Sequence, residues 1–176
     1  ITHANRLDGR FDVTIGPLTE RWGFSGEGET TLPTAREIEL LRGLVDWRRI
    51  LVDRADTTVF LQDAGMSLDL GGIAKGYAID RGVAVLNESG IRHFILNAGG
   101  DVHVSGQKND GPWRVGVRHP REANALIAQF DLTDYSVATS GDYERFKVYG
   151  GKRYPHVLDP LTGYPGSPCQ SVTVLA

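Results

Sequence analysis

Asp69, Gly71, Gly72 and Lys75 bring an acid, paired glycines and a cation together in one short stretch, Ser67–Asp80, which reads SLDLGGIAKGYAID. Ser67–Leu70 alternates polar and apolar residues as a half-buried strand does, and a helical pattern runs from the glycines to about Leu86. Unpaired amides at a helix start carry partial positive charge, so this junction suits an anion such as a phosphate, with Lys75 adding a cation in the first turn. Asp69 would repel such an anion and needs a different job. It can fix a loop by accepting amide hydrogen bonds, bind a polar ring of a ligand, or help hold a cation. The stretch is not a P-loop, because its lysine precedes the glycine and no Gly-Lys-Ser/Thr is present, and it is not a dinucleotide GxGxxG. Taken alone, the stretch reads first as a plain strand-to-helix connection and second as a ligand site.

His156 is the second chemical candidate. Among five histidines it is the one set at a turn with polar neighbours, just before Val157, Leu158 and Asp159–Pro160, which suits acid–base work. Nothing matches a G-x-S-x-G elbow, an HExxH helix or an EF-hand loop, which removes several hydrolase and calcium chemistries. Asn97-Ala-Gly-Gly-Asp101 reads as a tight turn or as a close backbone approach to a ligand, and Val137–Asp142 (VATSGD) as a further small polar turn. Trp22 and Phe24, next to Gly23, read first as packing and second as stacking on a planar ligand.

Several elements must position these residues. Ile1–Arg10 is polar and aperiodic, Phe11–Leu18 (FDVTIGPL) reads as a brief strand ending at Gly16–Pro17, and Ser25–Thr31 has the composition of a mobile loop. Leu32–Val45 carries the clearest helix pattern, with a Thr34…Glu37 capping box and Ile38, Leu41 and Val45 on one face. Short strands are expected over Trp47–Val52, Thr57–Leu61, Ile91–Asn97, Val102–Ser105, Trp113–Val117, Ala125–Leu132, Ser136–Ala138 and Ser171–Leu175. Many short strands with few helices predict an α+β fold with a mixed or antiparallel sheet core, not a doubly wound parallel sheet.

The 176 residues, 40% hydrophobic and 23% charged, suit one compact domain, or a domain and a fragment, with a substantial core. A formal net charge of −3 without any basic run argues against nucleic acid as a partner. The single Cys169 excludes an internal disulfide framework and a cysteine zinc cluster, and reads as a near-core thiol. No run approaches the ~20 apolar residues of a membrane span.

Taken in order, FDVTIGPL with WGF, LDLGGIAKGYAID, NAGGD, WRVGV, ATSGDYERF and HVLDPLTG resemble the ApbE family of FAD:protein FMN transferases, from about Gly9 to the end. The resemblance implies a T-fold-related architecture and one ApbE-like domain over residues 1–176. It also implies a magnesium-dependent enzyme that splits the pyrophosphate of FAD, joins FMN to a threonine or serine of a target flavoprotein and releases AMP. By motif, Arg10, Phe11 and Asp12 resemble the family's flavin-contacting stretch, Asp69 and Lys75 its FAD contacts, and Leu158 its apolar FAD contact. Gly72 matches the residue whose carbonyl binds magnesium, and His156 the histidine assigned as general base. The family's further magnesium ligands, an aspartate and a threonine beyond a strand like SVTVLA, have no counterpart here, which leads us to expect a fragment incomplete at both ends. An FAD pyrophosphatase yielding FMN and AMP, or a non-catalytic FAD-binding fragment, is the alternative. The implied setting is the bacterial envelope or periplasm, lipid-anchored in full-length form, with the cytoplasm left open.

Overall fold

The computed structural model describes residues 1–24, 31–109, 111–166 and 169–176. In chain order its elements are α1 (Thr2–Arg6), α2 (Gly16–Arg21), α3 (Ala35–Arg42), a 3₁₀ turn (Trp47–Arg49), β1 (Ile50–Asp53), β2 (Thr58–Leu61), α4 (Gly71–Glu88), β3 (Phe94–Ala98), β4 (Asp101–Ser105), β5 (Trp113–Arg118), β6 (Leu126–Leu132), β7 (Tyr135–Gly141), β8 (Phe146–Tyr149), β9 (Lys152–Pro155) and β10 (Ser171–Leu175). They form an α+β fold in which all named strand pairs are antiparallel. The chain divides into two compact units, one of Ile1–Leu70 with Arg145–Pro168 and one of Gly71–Glu144 with Cys169–Ala176.

The first unit is built on Leu18, Trp22, Ile38 and Leu158, with Ile15, Phe24, Leu41, Val45 and Tyr154 packed around them. Pro17 enters the first turn of α2, where its missing N–H costs no hydrogen bond, and the helix then buries Leu18 and Thr19. Trp22 and Phe24 pack, as their setting beside a glycine suggests. The Trp22 indole N–H donates to the Gly163 carbonyl at 2.9 Å, joining residues distant in sequence.

Helix α3 starts where the capping box places it. The Glu37 amide donates to Thr34 Oγ1 at 3.3 Å, and Glu37 Oε2 accepts from the Thr34 amide at 2.6 Å. Arg21 grips the same carboxylate with Nε at 3.0 Å and Nη2 at 3.1 Å. Hydrogen bonding from Arg21, then from Thr34, lowers the Glu37 carboxyl from 4.5 to about 2.

In the second unit the sheet runs β10-β7-β4-β3. The register puts Val102, Val104, Val137 and Leu175 on one face, and there they meet Trp113, Val115, Phe130 and Leu132 of the β5–β6 hairpin. Leu96 and His103 lie on the opposite face by strand alternation, where α4 packs on β3 and β4. Gly82 permits that contact, since a Cβ built there would stand 2.9 Å from Leu96 Cδ1. Gly99 and Gly100 close the β3–β4 hairpin as a two-residue loop, both with positive φ (60° and 98°), which explains the paired glycines of the NAGGD stretch.

Five local expectations change, one being that Trp47–Arg49 forms a 3₁₀ turn where a strand is expected, with β1 starting only at Ile50. Thr2–Arg6 is helical rather than aperiodic. Only Ile15 and Ser67 retain strand character within Phe11–Leu18 and Ser67–Leu70, as one isolated parallel bridge, and α2 takes over from Gly16. The VATSGD stretch extends β7 to Gly141 because β10 pairs along it, Ser171 opposite Gly141 through Leu175 opposite Val137. Cys169 is exposed, not near the core. The mobile-loop expectation for Ser25–Thr31 falls, except for Thr31, outside the described residues.

Candidate functional site

The first unit carries an open cavity of about 710 Å³. One wall is α2, through Gly16, Thr19 and Glu20, with Phe24 following it, and the other is Ser67–Leu70, with Arg145 at the start of the segment that returns to this unit. Two main-chain contacts hold the walls together: the Ile15–Ser67 bridge, and the Asp69 amide donating to the Val13 carbonyl at 2.7 Å. The approach is close enough to require glycine at position 16, where a Cβ would lie 2.8 Å from the Ser67 carbonyl carbon and oxygen. Asp69 is therefore delivered to the cavity by its own backbone pairing. Thr19, Glu20 and Arg145 are lining residues that sequence reading did not single out, although Arg145 stands within the ATSGDYERF motif and Glu20 between Gly-Pro-Leu and Trp-Gly-Phe.

His156 is joined to Arg145 twice. Its amide donates to the Arg145 carbonyl at 3.0 Å, and its Nδ1 lies 3.0 Å from that same oxygen. A carbonyl only accepts, so Nδ1 carries the hydrogen and Nε2 keeps the lone pair that a base requires. The β8–β9 hairpin spans the sequence between the two residues and sets this contact, with Phe146 paired to Pro155.

The other residues singled out from sequence are placed differently. Asp12 is buried, with Oδ1 accepting from the Thr14 amide at 2.9 Å and hydroxyl at 2.7 Å, while Oδ2 accepts from the Trp47 amide at 3.0 Å. Its carboxylate thus closes a turn and ties it to the 3₁₀ segment, lining a second cavity of about 180 Å³ and not the large one. Arg10 is exposed and Phe11 half-buried, and neither lines the large cavity. Leu158 is part of the hydrophobic core against Leu18 and Trp22.

Gly72 and Lys75 belong to the second unit. Gly72 lies in the first turn of α4, and Lys75 Nζ pairs with Asp101 at 3.0 Å and reaches the Gly99 carbonyl at 3.5 Å, pinning the β3–β4 loop to the helix. In the same unit Arg121 holds Asp142 of the ATSGD motif through two bonds of 2.7 and 2.6 Å, which raises the guanidinium further above its ordinary value. Among the described residues no three His, Cys, Asp or Glu side chains converge on a point that would hold a metal ion. Magnesium favours several oxygen donors with carboxylates among them, so the described residues do not form a cage for it by themselves.

Comparison with solved structures places this arrangement among the ApbE proteins. The crystal structure of the ApbE protein from Thermotoga maritima superposes with a TM-score of 0.91 at 40% identity, over 99% of this chain and 57% of that one. The flavin transferase ApbE from Vibrio cholerae gives 0.82 at 32% identity, over 98% of this chain and 55% of the other. The ApbE family model matches residues 1–176, and the chain belongs to that family. A protein named FAD:protein FMN transferase from Klebsiella pneumoniae (strain 342) is 39% identical over 173 residues, and one of the same name from Rhodobacter capsulatus is 38% identical over 175. The chain spans 52% of the first relative's length and 33% of the second's.

Proposed function

We propose that this chain is the flavin-binding and acid–base part of an FAD:protein FMN transferase, which moves the FMN portion of FAD to a threonine or serine hydroxyl of a target flavoprotein and releases AMP. The observation that carries the reading is the tie between cavity and histidine: Arg145 lines the cavity and its carbonyl fixes His156 with Nε2 as the basic nitrogen. The names of the curated relatives support it.

In the proposed reaction the hydroxyl oxygen attacks the phosphorus nearer riboflavin while its proton passes to His156 Nε2. The new O–P bond forms as the bond to the AMP phosphate breaks, and AMP leaves. Such transfers depend on placement and charge neutralisation more than on a reactive side chain, which agrees with one oriented base joined to an open cavity. A magnesium requirement is part of the proposal. Gly72 offers a backbone carbonyl, and the remaining ligands come from outside the described residues.

Incubating the full-length protein with FAD, magnesium and an acceptor flavoprotein should give an acceptor band that stays fluorescent on a denaturing gel. Free FMN and AMP without a labelled acceptor would establish a pyrophosphatase instead. Bound FAD that stays intact would establish a binding module.

A further inference from the structure

We propose that Arg145 is a substrate-contacting residue that sets which way the ligand lies: its guanidinium receives the phosphate-bearing part, and the ring system lies toward Phe24, Leu68 and Leu70. This rests on the flavin-transfer reading above, which uses the Arg145 carbonyl, and assigns a separate role to its side chain.

The charge layout of the cavity carries the inference. Its described lining holds two carboxylates, Asp69 and Glu20, and one cation, Arg145. A diphosphate is repelled by the carboxylates and drawn to the guanidinium, whose planar fork matches two phosphate oxygens at once. Among the described residues Arg145 forms no ion pair with Glu20, Asp69 or any other carboxylate, so the fork is not already committed. The lining also offers apolar surface to a ring system: Leu68 and Leu70 are exposed large hydrophobic residues, and Phe24 supplies an aromatic face.

The backbone of the same residue makes the orientation productive. The Arg145 carbonyl accepts both hydrogen bonds from His156, so the residue whose side chain would meet the anion also fixes the base through its backbone.

Substitution tests the side chain alone, because Arg145→Ala and Arg145→Lys both keep the carbonyl. In the full-length protein, Arg145→Ala should weaken FAD and FMN binding about tenfold or more while riboflavin, which has no phosphate, stays within about twofold, and Arg145→Lys should recover part of the loss. Inorganic pyrophosphate should bind the wild type and lose affinity in Arg145→Ala. Unchanged FAD and FMN affinity, or an equal loss for riboflavin, would overturn the assignment while leaving the flavin reading in place. Arg145-dependent pyrophosphate binding by a wild type that binds no flavin would keep the anion contact and remove the flavin reading. If the wild type binds neither, both are overturned.

Discussion

His156 Nε2 is the atom on which the proposed chemistry turns, because the Arg145 carbonyl at 3.0 Å commits the other ring nitrogen to donation. His156→Ala in the full-length protein should lower FMN transfer by roughly 10²–10⁴-fold, the usual contribution of a positioned base, with FAD affinity largely retained. Wild-type turnover in the variant would remove the histidine from that role. The sequence made this residue legible through its turn setting and the HVLDPLTG motif. It could not show what orients the ring, since Arg145 is eleven positions away in sequence and only a hairpin brings the two together. Asp12 shows the same limit in reverse. An acid in Phe-Asp-Val-Thr suits a ligand contact or a turn equally well, and the partner that reveals its structural work, Trp47, comes from a distant segment.

At the scale of elements, signals contained within a few residues were the readable ones. The Thr34–Glu37 box placed α3, paired glycines and apolar spacing placed α4, and Gly99–Gly100 placed the β3–β4 hairpin. Elements defined by distant partners were not. Phe11–Leu18 alternates like a strand, yet packing of Leu18 against Trp22 and Ile38 draws its second half into α2, and β7 runs through a polar stretch because β10 lies beside it. Gly16 marks where the cavity walls meet. Gly16→Ala sets a methyl 2.8 Å from the Ser67 carbonyl and should destabilise the first unit by about 1–3 kcal/mol, seen as a lower Tm with weakened FAD binding. An unchanged Tm would show that the walls separate easily.

Glu37 joins α2 to α3 through Arg21, and its folded-state carboxyl is lowered to about 2. A lowered carboxyl stabilises the fold above its unfolded value of 4.5, and that contribution fades as the pH falls from 4.5 through about 2. Acid unfolding followed by circular dichroism should therefore show a component over this range that Glu37→Gln removes. An identical acid profile in the variant would mean that Arg21 and Thr34 gain nothing from the charge.

For the whole molecule, the α+β class was legible from many short strands with few helices, and the family from six motifs that keep one order along the chain, a property that local propensity does not report. The division into two units was not, since it depends on Arg145–Pro168 returning to the first unit and Cys169–Ala176 to the second. A chain that matches about half the length of the Klebsiella relative supplies a cavity, an oriented base and a guanidinium, while the described residues do not complete a metal site. The proposed transfer is therefore to be tested on the full-length protein. The most direct test is intact-mass analysis of an acceptor flavoprotein incubated with that protein, FAD and magnesium, with AMP measured in the same sample. Flavin transfer predicts that each modified acceptor gains the mass of one FMN less one water and that one AMP appears per modification. An acceptor of unchanged mass with FAD left intact would contradict it.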